Sequence, residues 1–187
     1  MKRIAALVAA LLFISSNASS AIVGYSRDTS SATCAVTNDI TLSSNEISGA
    51  GASIAIASWR GQSVTTTGIW SVTGIILGLG NNNNTTGSIT VRLSSVNGGI
   101  LTSVASKTVN VSSLSVAVAD YFVQFDSLVQ LNNATEYAIT IETTDANILV
   151  ERATNNGSSY WYSTNQGTSW TVSTSYSIPY ILMGCES

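Results

Sequence analysis

Histidine is absent from this 187-residue chain, and charged residues make up only 9% of it. These two shortages remove more function classes than any motif adds. Without histidine, Ser/His/Asp and Cys/His nucleophilic catalysis is excluded in its usual forms, and the commonest general base and metal ligand is missing. Zinc would have to draw on carboxylates and two distant cysteines, and no ligand spacing supports that. Proline occurs once, at Pro179, so no proline-rich linker divides the chain. Beyond Lys2 and Arg3 the basic residues are Arg27, Arg60, Arg92, Lys107 and Arg152. They are scattered, so no groove that tracks phosphates can be built from them, and nucleic acid is not an expected partner.

Carboxylates are also few, yet two of them alone can hydrolyse a glycoside. Glu136 and Glu142 share one face of a predicted strand, but at strand rise they stand about 20 Å apart, too far for an acid/base pair. Partners across strands, such as Asp120 or Asp126 with Glu151, are the pairings left. With no clustering, these carboxylates read as solvated surface positions, and no enzyme is expected. A structural calcium ion held by loop oxygens is the one metal the composition leaves open. Asp39, Asp120, Asp126 and Asp145 fall at predicted strand ends, although nothing matches the spaced ligands of an EF-hand loop.

What the chain does contain begins with a leader. Met1-Lys2-Arg3 is basic, Ile4 to Ile14 is apolar, and Ser15 to Ala21 is small and polar. This is the pattern of a secretory signal peptide over residues 1–21, cleaved after Ala21 with Ser19 three positions before the cut. Its apolar run is about half of the roughly 20 residues that a membrane span needs, so no span is expected in the mature chain. Removing Lys2 and Arg3 leaves that chain two units more negative than the −3 of the whole. Secreted, extracellular or cell-surface localisation follows.

In that compartment an even cysteine count favours a disulfide between Cys34 and Cys185. Closing so long a loop would stabilise the domain by about 5 kcal/mol on the chain-entropy account.

From Ile22 to Ser187 no composition break appears, so a single domain is expected. Ile22 to Ile47 is Ser/Thr-rich, with a leading strand placed around Ala32 to Val36. Gly68 to Leu79 is apolar with little polar alternation, as in a strand covered on both faces, and Gly74 and Gly78 there suggest bulges or close backbone contact. Ile89, Val91 and Leu93 alternate with Thr90 and Arg92. Tyr121, Val123 and Phe125 fall on one face, as do Tyr137, Ile139 and Ile141. About ten strands separated by Gly/Asn/Ser turns, with no helical periodicity after Ala21, make an all-β antiparallel sandwich the economical solution.

Tyr160 to Trp170 is the densest stretch. Tyr160, Trp161 and Tyr162 form a strand end, Asn165-Gln166-Gly167 supplies a tight turn, and Trp170 begins the return strand. The spacing Ser163-x-Asn165-x-Gly167-x-x-Trp170 resembles the Asp-box, a structural hairpin motif in which a Trp packs beneath a polar turn. Asn165 stands where that motif usually has Asp. In Tyr160-Trp161-Tyr162 the two parities face opposite ways, so either Trp161 or the tyrosine pair reaches the outer face unless a loop covers it. Such rings stack on sugars while Asn side chains bond hydroxyls, which makes Tyr160, Trp161, Tyr162 and Asn165 the candidate glycan platform.

The succession of Gln62-Ser63-Val64, Gly68 to Leu79, Gly87-Ser88-Ile89-Thr90-Val91-Arg92-Leu93, Tyr121 to Phe125, Leu131 to Ile141 with Thr135-Glu136-Tyr137-Ala138-Ile139, and Tyr160 to Trp170 is similar to the choice-of-anchor domains. These are exported β-sandwich modules of bacterial surface proteins and some viral fibres, jelly-roll-like and akin to carbohydrate-binding modules. The likeness spans roughly Ser58 to Gly184. It implies surface display and no catalysis. Only Cys185-Glu186-Ser187 follow Gly184, without an apolar helix, basic tail or sorting motif, so retention at a surface would need a partner.

The leading functional expectation is therefore adhesion or binding, to glycans or to other surface proteins. The alternative is a homo-oligomeric subunit of an extracellular filament or coat, assembled by strand donation with Ile22 to Asn45 as the donor.

Overall fold

The computed structural model describes residues 22–24, 52–55, 58–144, 146–154 and 159–186. The leader, Cys34, Asp39 and Asp145 lie outside the described residues, as does the leading strand expected around Ala32 to Val36.

In chain order the strands are β1 (Ile22–Gly24), β2 (Ala52–Ile54), β3 (Trp59–Thr65), β4 (Trp70–Gly80), β5 (Ser88–Asn97), β6 (Ile100–Asn110), β7 (Ala119–Leu131), β8 (Glu136–Glu142), β9 (Ile148–Val150), β10 (Ala153–Thr154), β11 (Tyr160–Ser163), β12 (Thr171–Ser173), β13 (Tyr176–Ser177) and β14 (Tyr180–Glu186). A 3-10 turn, Val111–Ser113, lies between β6 and β7. One sheet runs β1-β7-β4-β9-β2, with β14 also paired to β4; the other runs β12-β11-β3-β8-β5-β6; β10 and β13 form a small ribbon. All pairings are antiparallel. The expected all-β sandwich is what the chain forms. No helix among the described residues is long and apolar enough to cross a membrane.

Alternation decides which side chains meet between the sheets. Ile89, Val91 and Leu93 of β5 and Tyr137, Ile139 and Ile141 of β8 join Val72, Ile75, Leu77 and Leu79 of β4 and Tyr121, Val123 and Phe125 of β7 in one buried cluster. Each such side chain contributes about 1.5–3 kcal/mol of burial before entropy is counted. β4 is apolar on its other face too. Ile76 is buried there with Ile181 and Met183 of β14, and Phe122 of β7 packs against them. Here Gly74 is needed, because a Cβ would stand 2.6 Å from the Phe122 ring and 2.5 Å from the Val123 carbonyl. The register against β7 shifts between Val72 and Gly74, a bulge at the expected strand.

Uncharged amides do inside this core what charges do elsewhere. Gln62 is fully buried. Its Nε2 donates to the Ser159 carbonyl at 3.1 Å, and its Oε1 accepts from the Ile178 N–H at 2.9 Å. It thereby ties β3 to the segments entering β11 and β14. Asn81 Nδ2 similarly donates to the Leu114 carbonyl at 2.8 Å. Satisfied neutral amides avoid the cost of burying ions, which suits a chain this poor in charge.

The backbone at Cys185 pairs with Ser71. Its side chain, like the whole of Cys34, lies outside the described residues. Ile22–Gly24, the start of the expected donor segment, pairs with Val123, Phe122 and Tyr121 of β7 in its own chain.

Candidate functional site

The aromatic hairpin lies at one edge of the second sheet. β11 pairs with β12 on one side and with β3 on the other, setting Tyr162 opposite Arg60 and Ser163 opposite Trp59. Between β11 and β12 the turn is closed by its own polar groups. Ser163 Oγ donates to Asn165 Oδ1 at 2.9 Å and accepts from the Gly167 N–H at 2.8 Å. Asn165 Oδ1 accepts from the Ser169 N–H at 3.0 Å, and its Nδ2 donates to Ser169 Oγ at 2.8 Å. Both ends of the Asn165 amide are therefore spent within the turn, and a neutral amide performs them without a carboxylate.

Gln166 and Gly167 take positive φ, 56° and 76°. Gly167 also lies against the Trp59 ring, where a Cβ would approach Cζ3 to 2.5 Å. Trp170 packs beside Trp59 with centroids 6.4 Å apart. The Trp59 indole N–H donates to the Thr143 carbonyl at 2.7 Å, which fixes the ring. The turn thus rests on a Trp from a different strand as well as on its own.

Strand parity sends Tyr160 and Tyr162 to one face and Trp161 to the other. Trp161 is nevertheless only 5% exposed. It lies opposite Gly61, where a Cβ would be 2.8 Å from the Ile139 carbonyl, and its indole N–H donates to Ser63 Oγ at 2.6 Å. Tyr160 is 5% exposed and belongs to the main core. Of the three aromatics in this run, Tyr162 alone is half-open.

Tyr162 has company that the local sequence does not announce. The β10–β13 ribbon sets Thr154 opposite Tyr176. Tyr160 then stacks on Tyr162 at 6.3 Å and meets Tyr176 edge-on at 6.1 Å. Tyr176 is 40% exposed, and the Arg152 guanidinium lies 4.0 Å over its ring. Burial pushes the Tyr160 phenol pKa up; Arg60 and Arg152 pull it back, and the neighbouring tyrosines add to the rise. Trp59, Arg60, Arg152 and Tyr176 are the residues that sequence reasoning did not select.

The outer face of the same sheet carries a polar line. Arg92 grips Glu142 with Nε and Nη2, both at 2.9 Å, and Thr140 Oγ1 donates to Glu142 at 2.6 Å. Glu142 holds the Arg92 pKa above its ordinary value, chiefly through the hydrogen bond. Glu136 accepts from Ser63 Oγ at 2.8 Å. The carboxylates of β8 are therefore engaged separately. Asp126 is held by Lys107, and no group of three or more Asp, Glu or Cys side chains able to hold a metal occurs among the described residues.

Comparison with protein-family models and with curated proteins returned no match for this chain.

Proposed function

We propose that this chain is a non-catalytic, exported β-sandwich module that binds glycans at the Tyr160–Tyr162–Tyr176 cluster. The observation that carries this reading is a pair of accessible tyrosine rings, Tyr162 and Tyr176, both packed against the buried Tyr160. Rings so supported need little ordering on binding, and tyrosine joins an apolar face for a sugar ring to a hydroxyl for its oxygens. Asn165 supports the hairpin in this account, since its amide is already bonded. The likeness to choice-of-anchor domains and the leader-like N-terminus favour the same extracellular role, and a Cys34–Cys185 bridge would suit it.

A glycan array with the mature protein tests the reading. Loss of one ring contact costs about 0.5–1.5 kcal/mol, up to about tenfold in affinity, so Tyr162→Ala and Tyr176→Ala should each weaken a positive signal. Trp161→Phe should leave it unchanged. Signals insensitive to both tyrosine substitutions would refute the site.

One observation favours assembly as a second reading. β6 is a long terminal strand, paired throughout with β5, and Ile100 and Val104 on it are exposed. Its one charge, Lys107, bonds Asp126 of β7 across the sandwich. Charged side chains placed inward are a known guard for sheet edges, so Lys107→Val should promote association by light scattering. Unchanged monomer in that variant would count against assembly through β6.

A further inference from the structure

We infer that the glycan bound by this cluster is acidic, its carboxylate or sulfate ester held between Arg60 and Arg152. This rests on the tyrosine platform proposed above and adds the charge of its ligand. Arg60, Tyr162, Tyr160, Tyr176 and Arg152 follow one another as neighbours. Arg60 faces Tyr162 across β3 and β11, Tyr160 bridges Tyr162 to Tyr176, and Arg152 covers Tyr176. An arginine thus stands at each end of a row of rings.

Within the described residues, the lack of a carboxylate partner separates these arginines from the other described basic residues. Arg92 is held by Glu142 and Lys107 by Asp126. No ion pair between Arg60 or Arg152 and a carboxylate occurs among the described residues. Arg60 Nη1 donates to the Trp59 carbonyl at 3.0 Å, which aims the group and occupies one of its five N–H donors. Arg152 is held by contact with the Tyr176 ring face, a geometry that leaves the planar edge of a guanidinium pointing away from the ring. Both are half-buried, where an ion pair gains more than it would in bulk water. In a chain with a sequence pI near 4.7, two cations without a carboxylate partner among the described residues, beside one aromatic cluster, are a local reversal of sign. Planar guanidinium edges match carboxylate and sulfate oxygens, and adjacent tyrosines offer the sugar ring a face. Both arginines also lower the pKa of the Tyr160 phenol, so their fields converge on the middle of the row.

Calorimetric titration with three polysaccharides tests this: polygalacturonate carries carboxylates, dextran sulfate carries sulfate esters, and dextran carries neither. One polyanion should bind at least tenfold tighter than dextran, and which one identifies the group. Raising NaCl from 50 to 300 mM should erode that preference. Arg60→Gln and Arg152→Gln should each weaken polyanion binding about tenfold, whereas Lys107→Gln, with the same change in net charge, should not. Melting curves confirm folding, and Arg152→Lys retains the cation should the glutamine variant fail to fold. Dextran binding as tight as either polyanion and indifferent to the arginines would overturn the acidic ligand and leave the tyrosine platform standing. Polyanion binding that the arginine variants share with Lys107→Gln would also overturn it. Absence of binding to all three would remove both proposals.

Discussion

Gly167→Ala offers the sharpest test of how the aromatic hairpin is built, because two costs can be assigned to separate causes. The first is conformational. Gly167 sits at φ 76°, where an L side chain costs about 1 kcal/mol. The second is steric. The new methyl would meet Trp59 Cζ3 at 2.5 Å and Cε3 at 2.9 Å. That ring cannot swing away freely, since its N–H is bonded to the Thr143 carbonyl and Trp170 flanks it. Overpacking of this kind costs about 1–3 kcal/mol, giving about 2–4 kcal/mol in all. At about 2–4 °C per kcal/mol for a domain of this size, the melting temperature should fall by roughly 4–16 °C. Gly98→Ala is the control. Gly98 also has positive φ, 57°, but nothing stands within 4 Å of its Cβ position, so only the backbone cost of about 1 kcal/mol applies. Thermal unfolding followed by circular dichroism gives both values. Trp59→Ala should then reduce the penalty of Gly167→Ala to that of Gly98→Ala. Equal losses in the two single variants, or an undiminished penalty in the Trp59→Ala background, would refute the contact as its cause.

Three further outcomes are expected. Arg92→Met leaves the nearly buried Glu142 with only Thr140 as side-chain partner among the described residues and should cost about 2–3 kcal/mol, less than a wholly buried pair because Arg92 is a third exposed; adding Glu142→Leu should recover most of the loss in chemical denaturation. Burial raises the Tyr180 pKa well above its unfolded value of 10.0, so its stabilising contribution is complete below pH 10 and drains away as the pH rises further. Melting temperatures between pH 8 and 11.5 should therefore drop above pH 10, less steeply in Tyr180→Phe. Ser94 Oγ is buried with no hydrogen-bond partner among the described residues, so Ser94→Ala should raise stability by about 1 kcal/mol, and a loss of that size would mean the hydroxyl is bonded.

Period-two alternation made the middle of the fold readable. Ile89/Val91/Leu93, Tyr121/Val123/Phe125 and Tyr137/Ile139/Ile141 declare their inward faces without help from distant residues, and all nine are core. The largely apolar run at β4 likewise announced cover on both faces. The site was only half readable. Parity separates Trp161 from its tyrosine neighbours, but its burial depends on Gly61, a residue brought alongside by pairing. The two-residue β10 and β13 are too short to show a period, so nothing local linked Arg152 and Tyr176 to Tyr160. Trp59 beneath Gly167 is another contact made by pairing alone.

One consequence follows from the position of β4. Its neighbours β7, β9 and β14 all come later in the chain, and Leu77 must wait for Tyr180 and Trp70 for Glu186 before that edge closes. Loop closure over such separations is slow, and β4 buries apolar side chains on both of its faces. A nascent chain would therefore carry a sticky, half-partnered ribbon until β14 emerged. Maturation hinges on arrival of the tail, and a chain cut short before Tyr180 should be captured by chaperones or precipitate.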